Sequence, residues 1–200
     1  MDYAYSYADP RRLYLNVTNR CTNRCAFCVR DYRPGLGDGR LRGGEEPDLR
    51  TLLAAIDERG GPFEEIVWCG FGEPTFRLDL IVDAAPELSA RAGRVRLDTN
   101  GHGALIHGRD VLPDLAAAVD AVSVSLNAPS AERYAELCRP AFGDHPPEAF
   151  FAATLDFLAR APEHFGEVAA SVVGHVLTAE EIEATEALAA SLGCRRFRVR

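Results

Sequence analysis

Residues 13–28 read LYLNVTNRCTNRCAFC, and this stretch decides how the rest of the chain is interpreted. Residues 13–17 alternate at period two, which predicts a β-strand. Three cysteines follow within eight residues, at Cys21, Cys25 and Cys28. Thiolates this close together on a loop are able to hold one compact metal centre. The motif therefore predicts a metal site directly after the first strand.

Beyond this motif, short β-branched runs alternate with longer amphipathic runs. The short runs predict five further strands, at residues 66–69, 95–98, 121–126, 168–173 and 196–199. Helices are predicted over residues 46–59, over 79–92 with a bend or break at Pro86, over 110–119, around 150–158, and after a capping box at 178–181. This order predicts an α/β fold with parallel strands and right-handed crossovers. An open doubly wound sheet and a partial barrel both satisfy it.

Composition limits the class of protein. The chain has 200 residues, of which 47% are hydrophobic and 26% charged, so we expect a single globular domain with residues 1–12 as an N-terminal extension. No apolar stretch approaches the roughly 20 residues that span a bilayer, and residues 1–5 lack the basic and apolar regions of a signal peptide. We therefore expect a cytoplasmic protein whose cysteines are thiols or metal ligands.

Charge excludes some further functions. The formal net charge of −8 argues against a nucleic-acid partner and against a membrane surface. All 22 basic residues are arginines, which excludes a Schiff-base lysine and a P-loop lysine.

The metal centre has two interpretations. A structural zinc ion requires four protein ligands in two spaced pairs, and the sequence has no second CxxC pair. Cys69, Cys138 and Cys194 are scattered after apolar runs, which is typical of buried small hydrophobes. A four-iron cluster takes four thiolates, so three cysteines leave one iron open. The spacing favours the cluster.

The CxxxCxxC spacing, with Phe27 before the last cysteine, resembles the signature of the radical S-adenosylmethionine (radical SAM) enzymes. The resemblance implies a partial (β/α)6 TIM-like barrel in which Cys21, Cys25 and Cys28 hold a [4Fe-4S] cluster. It implies that S-adenosylmethionine binds the fourth iron and is cleaved reductively to methionine and a 5′-deoxyadenosyl radical. The radical is then expected to abstract a hydrogen atom from a small polar or anionic substrate.

Polar segments after the later strands agree with this resemblance, because a barrel enzyme carries its chemistry on such loops. Residues 70–74 read GFGEP and look like the family's glycine-rich segment, which contacts the methionine amino group. The two glycines allow close backbone approach to a ligand, and Glu73 offers a carboxylate. The predicted cofactor-binding residues are Phe27, Gly70, Gly72, Glu73, Pro74, Asn100, Ser123, Ser125 and Asn127. For the two serines, hydrogen bonds to neighbouring strands are the alternative.

Substrate contacts are predicted for His102, His107, Arg109, Arg139 and Arg198. The alternative for His102 is a hydrogen-bonded loop histidine, and for Arg198 a solvated strand edge. If the face that carries Arg196, Arg198 and Arg200 points inward, it favours an anionic substrate.

Across residues 13–200 the chain also looks like the small radical SAM proteins named for association with TatD-type hydrolases. The partners implied are a flavodoxin- or ferredoxin-type electron donor and a TatD-type hydrolase acting in the same pathway. Two alternatives stay open at this point: an activating enzyme that installs a glycyl radical on a partner protein, and a zinc- or SAM-binding module without turnover.

Overall fold

The computed structural model describes all 200 residues, which divide into two compact units. The first unit contains Met1–Cys21, Val29–Asp98 and Pro113–Ala121, and the second contains Thr22–Cys28, Thr99–Leu112 and Val122–Arg200. None of the helices is long and apolar enough to cross a membrane. Each unit combines strands and helices, so the predicted α/β class is confirmed. The partial barrel stays a prediction, as does the single-domain organisation.

Nine strands and eight α-helices make up the chain. The strands are β1 (Ala4–Tyr7), β2 (Asp9–Asn16), β3 (Gly35–Leu36), β4 (Gly39–Arg40), β5 (Glu65–Cys69), β6 (Val95–Thr99), β7 (Ala121–Ser125), β8 (Glu167–Val172) and β9 (Arg196–Val199). The helices are α1 (Val29–Tyr32), α2 (Leu49–Asp57), α3 (Leu78–Ser89), α4 (Gly103–His107), α5 (Leu112–Ala116), α6 (Ala131–Cys138), α7 (Pro147–His164) and α8 (Ala179–Ser191). Two 3₁₀ turns lie at Pro74–Arg77 and Gly174–Val176.

Besides the short antiparallel pair of β3 and β4, the first unit contains four strands in the order β1-β2-β5-β6. β1 runs antiparallel to β2, whereas β2, β5 and β6 are parallel. Leu15, Trp68 and Leu97 are neighbours across the three parallel strands, and all three are fully buried. Burial of such side chains on successive strands is the main favourable term in forming this core.

The second unit orders its strands β7-β8-β9, and β8 runs parallel to β9. α7 contributes a buried face that includes Phe150, Phe157 and Leu158. α8 begins with the predicted capping box, in which Thr178 Oγ1 accepts from the Glu181 amide and the Glu181 carboxylate accepts from the Thr178 amide.

All six strands predicted from the sequence are present, as β2 and β5 to β9. The N-terminus differs most from expectation, because residues 4–7 of the predicted extension form β1 and pair with β2. β2 accordingly begins at Asp9 instead of residue 13.

The predicted helices also needed correction, as α2 and α3 illustrate. α2 begins at Leu49 and not at residue 46, because the Asp48 carboxylate accepts from the Thr51 amide and caps the helix there. α3 continues through Pro86 without a break, since buried Ala84 and Leu88 pack the helix on both sides of the proline.

Candidate functional site

The loop Thr22–Cys28 is fixed by the end of α6. The Arg24 amide donates to the Cys138 carbonyl over 3.0 Å, and the Ala26 amide donates to the Leu137 carbonyl over 2.9 Å. The last carbonyls of a helix lack partners within it, so the loop supplies partners that α6 needs. Two amide donors from successive parts of the loop thereby hold the backbone between the cysteines in one conformation.

Cys25 and Cys28 lie in a tight turn of this loop, in which the Cys28 amide donates to the Cys25 carbonyl over 3.1 Å. None of the six cysteines of the chain forms a disulfide, and Cys21, Cys25 and Cys28 are each partly exposed. Thiolate is the form that binds iron, and a partly exposed thiol is accessible to an incoming metal centre. This donor set fits an iron–sulfur cluster.

A structural zinc ion would need its ligands to converge on one atom. No three Cys, His, Asp or Glu side chains lie close enough together to hold a single metal ion. A cluster bound by one thiolate per iron does not require that convergence. The preference for a cluster over zinc stays a prediction from the cysteine spacing.

The first two residues of the loop, Thr22 and Asn23, take part in a buried hydrogen-bond network. Thr22 Oγ1 lies 2.7 Å from His102 Nδ1 and accepts from Asn100 Nδ2 over 2.8 Å. Asn23 Nδ2 donates to the Tyr134 hydroxyl over 3.0 Å. These five side chains are nearly or fully buried, so each hydrogen bond replaces a lost contact with water.

His102 is completely buried at the centre of this network. Its Nε2 lies 3.1 Å from the Tyr134 hydroxyl and 3.2 Å from Thr154 Oγ1. Burial lowers the pKa of His102 to about 3, so the ring is neutral near pH 7. A substrate contact requires an accessible ring, and the geometry instead fits the hydrogen-bonded histidine that the sequence left as the alternative.

The glycine-rich turn lies in the first unit. Gly70 has a φ of +111°, and a Cβ there would lie 2.3 Å from Asn16 Oδ1. The same Asn16 oxygen accepts from the Phe71 amide over 3.0 Å. Gly70 is therefore needed for close packing against the end of β2.

Gly72 makes a similar approach to the residues that precede the first cysteine. A Cβ at Gly72 would lie 2.5 Å from the carbonyl oxygens of both Thr18 and Arg20, and the next amide, of Glu73, donates to the Arg20 carbonyl over 2.8 Å. The sequence explained these glycines by close approach to a ligand. What they approach in the structure is the chain itself, at the segment that leads into Cys21.

Glu73 and Pro74 are both buried and begin the 3₁₀ turn Pro74–Arg77. Glu73 Oε1 accepts from the Thr75 hydroxyl over 2.7 Å and from the Thr75 amide over 3.2 Å. These bonds hold the carboxylate in a fixed orientation. Cofactor binding by either residue stays a prediction.

The remaining predicted cofactor residues lie in the second unit. Ser123 is fully buried, and its Oγ accepts from the Arg200 guanidinium over 3.1 Å, which is a bond to a neighbouring segment of the kind the sequence left open. Asn127 adopts a left-handed φ of 60° and its amide donates to the Ser171 carbonyl over 3.2 Å. Ser125 and Phe27 are partly exposed.

The predicted substrate residues occupy varied settings. Arg139 is exposed and ends α6 in a left-handed conformation. His107 is the partly exposed last residue of α4, and exposed Arg109 donates to the Asp110 carbonyl over 3.0 Å. Arg198 lies 3.6 Å from Glu167.

Glu167 also pairs with Arg196, at 3.1 Å. One carboxylate therefore neutralises part of the arginine face of β9 that was expected to attract an anionic substrate.

Sequence reasoning missed a second buried polar cluster, in the first unit. Arg96 is 4% exposed and pairs with Asp98 and with Glu65, the latter at 3.2 Å. Burial alone would raise the pKa of Glu65, but hydrogen bonds from Arg96 and Arg94 lower it below its ordinary value. Alternation along β6 places Arg96 and Asp98 on one face, which was the available signal.

Close to this cluster, the Tyr5 hydroxyl lies 3.2 Å from Cys69 Sγ. Burial, followed by the neighbouring Cys69, raises the pKa of Tyr5 far above its ordinary value, so the phenol stays protonated. Of the three cysteines expected to be buried, Cys138 is fully buried, whereas Cys69 and Cys194 are only partly so.

Comparison with known proteins gives a family match over most of the chain. The model of the Radical SAM superfamily matches residues 15–189. The chain is 35% identical over 79 residues to a 7-carboxy-7-deazaguanine synthase of Caulobacter vibrioides, covering 38% of this chain and 35% of that protein. It is 34% identical over 134 residues to a GTP 3′,8-cyclase of Rhodobacter capsulatus, covering 66% and 37%. The chain thus spans about a third of the length of these curated relatives.

Solved structures show a likeness of fold. Streptococcus suis SuiB bound to its precursor peptide SuiA superposes with a TM-score of 0.68 at 16% identity, covering 95% of this chain and 39% of that one. The same protein bound to S-adenosylmethionine gives a TM-score of 0.65. Methylornithine synthase gives 0.62 at 11% identity, covering 94% and 52%.

Proposed function

Since this chain belongs to the radical SAM superfamily, we propose that it is an enzyme whose Cys21, Cys25 and Cys28 hold a [4Fe-4S] cluster and which binds S-adenosylmethionine. When bound, the cluster supplies the electron that cleaves S-adenosylmethionine to methionine and a 5′-deoxyadenosyl radical, which abstracts a hydrogen atom from the substrate. The observation that carries the proposal is the cysteine loop, whose amides at Arg24 and Ala26 are fixed by the end of α6.

The chain's own residues are proposed to bind and orient the reactants. Glu73, held by Thr75, presents a carboxylate to the ammonium group of S-adenosylmethionine. Polar groups near the ends of β6 and β7, at Asn100, Ser125 and Asn127, are assigned to other polar parts of the cofactor. Ser123 is assigned with them, although its hydroxyl is already bonded to Arg200.

We assign a small polar or anionic molecule as the substrate. Exposed Arg109 and Arg139, with His107, are the side chains proposed to contact it. The second curated relative is named for GTP, a small anionic molecule, which supports this substrate class. The proposed electron donor is a flavodoxin- or ferredoxin-type protein, and a TatD-type hydrolase is the proposed partner in the same cytoplasmic pathway.

The proposal is tested by loading the purified chain anaerobically with iron and sulfide and measuring bound iron and the electron paramagnetic resonance (EPR) spectrum of the reduced protein. We expect about four irons per chain, and a spectrum that changes when S-adenosylmethionine is added. Each of Cys21→Ala, Cys25→Ala and Cys28→Ala should abolish or sharply reduce cluster binding.

Cys194→Ala is the matched control. Burial raises the pKa of the Cys194 thiol to about 11, so it is a poor thiolate ligand, and this variant should load iron like the wild type. Zinc in the natively purified protein combined with failed iron loading would contradict the proposal. So would a cluster whose spectrum does not respond to S-adenosylmethionine.

A further inference from the structure

A single buried histidine connects three parts of the second unit behind the cysteine loop. His102 contacts Thr22 of the loop, Tyr134 of α6 and Thr154 of α7, all within 3.2 Å between polar atoms. Its ring also packs edge-on against Phe150, with centroids 5.1 Å apart. Since Thr22 is the residue after the first cysteine, this ring lies directly behind the proposed cluster loop.

The donor and acceptor roles in this network can be assigned by starting from the backbone amide of His102. The His102 amide can only donate, and it donates to Asn100 Oδ1 over 3.0 Å. This fixes the Asn100 side chain with its NH₂ group toward Thr22, whose hydroxyl oxygen accepts from it over 2.8 Å. The single hydroxyl hydrogen of Thr22 then remains to donate to His102 Nδ1, 2.7 Å away.

The tautomer of His102 is assigned in the same way. Because Nδ1 accepts from Thr22, the ring proton lies on Nε2, where Tyr134 and Thr154 offer oxygen atoms at 3.1 and 3.2 Å. The Thr154 hydroxyl donates its hydrogen to the Asn100 carbonyl over 2.9 Å or to the Phe150 carbonyl over 3.1 Å. Its oxygen therefore acts as an acceptor for the proton on His102 Nε2. Each nitrogen of the ring thus has a different and fixed role.

We propose that His102 is a positioning residue for the metal centre: its Nδ1 accepts a hydrogen bond from the Thr22 hydroxyl, and this bond sets the conformation of the loop that carries Cys25 and Cys28. The inference rests on the proposed function for the identity of the centre, but the hydrogen bond itself belongs to the protein alone. It assigns to His102 a task in place of the predicted substrate contact.

Two substitutions separate the roles of the ring nitrogens. Asparagine at position 102 places an amide oxygen near the position of Nδ1, whereas glutamine places its amide nearer to Nε2. We expect His102→Asn to keep most of the bound iron and an EPR spectrum close to the wild type. We expect His102→Gln to lose at least half of the iron and to shift the EPR spectrum of the cluster that remains bound.

Two substitutions of Thr22, the donor in this hydrogen bond, give an independent test. Thr22→Ser keeps the hydroxyl and should retain the wild-type spectrum, while Thr22→Val keeps the shape but removes the donor and should reproduce the His102→Gln defect. A merely structural role would make each pair differ in stability without changing the spectrum of the cluster that remains bound.

Amide hydrogen exchange on the metal-free protein supplies a readout that needs no cluster. The Arg24 and Ala26 amides, bonded to α6, should exchange about tenfold faster in His102→Gln and Thr22→Val than in the wild type, a change expected from losing one hydrogen bond that supports the loop. Unchanged exchange and unchanged spectra in both variants would overturn the proposal, as would equal behaviour of His102→Asn and His102→Gln. If the wild type bound no iron, the proposed function would fail while the exchange data still decided the role of His102.

Discussion

At Gly72 the chain has no room for a side chain. The Thr18 and Arg20 carbonyl oxygens each lie 2.5 Å from the position of a Cβ, and both belong to backbone that cannot swing aside as a flexible side chain would. Gly72→Ala should therefore reduce the free energy of unfolding by about 2 kcal/mol. Urea denaturation measures this change.

Gly166→Ala is the control for this prediction. A Cβ at Gly166 would have nothing within 4 Å, so the substitution should leave stability within about 0.5 kcal/mol of the wild type. Equal urea midpoints for Gly72→Ala and Gly166→Ala would show that a Cβ at position 72 does not clash with the Thr18 and Arg20 carbonyl oxygens.

Individual residues show where sequence reasoning stops. The cysteine spacing, Asn100 and His102 could all be found in the sequence, because each lies in or next to a short motif. That Thr22 and His102 meet could not be found, since 80 residues separate them and only tertiary packing brings them together. Tyr134 and Thr154 gave no signal, because a single polar residue on an otherwise apolar helix face is common.

Among the helices, α6 supports the cysteine loop, whereas α8 makes no such contact with the Arg24 and Ala26 amides. Both helices have a side-chain N-cap: Ser130 accepts from the Arg133 amide in α6, and Thr178 caps α8. Ser130→Ala and Thr178→Ala should each cost about 1 kcal/mol of stability. Only Ser130→Ala should also speed amide exchange at Arg24 and Ala26, since these amides donate to the end of α6.

Thermal denaturation and hydrogen exchange on the two variants check this prediction. Equal exchange of the loop amides in both would mean that the cysteine loop does not depend on α6. Faster exchange in the Thr178→Ala variant alone would contradict the assignment of α6 as its support.

Elements with a clear period were predicted well and short ones were not. The six predicted strands each showed a short apolar or alternating run, and α8 showed its capping box. β1 escaped notice because its four residues form a local antiparallel pair with β2 and need no long pattern. α4 is not among the predicted helices, since its five residues are too few to show an amphipathic period.

For the whole molecule, the fold class and the family were accessible from the sequence, and the substrate was not. A family of this kind shares the cofactor chemistry, whereas substrate choice depends on side chains that differ between members. Here the arginines of β9 illustrate the difficulty: their alternation indicated an anion site, but Glu167 already pairs with Arg196 and Arg198.

Formation of 5′-deoxyadenosine tests the proposed radical chemistry most directly. The iron- and sulfide-loaded protein would be incubated anaerobically with dithionite and S-adenosylmethionine, and the product quantified by chromatography. We expect 5′-deoxyadenosine from the wild type and from Cys194→Ala, and none from Cys21→Ala, Cys25→Ala or Cys28→Ala. An intact four-iron cluster that binds S-adenosylmethionine yet gives no 5′-deoxyadenosine, alone or with small anionic candidate substrates, would contradict the proposed radical chemistry.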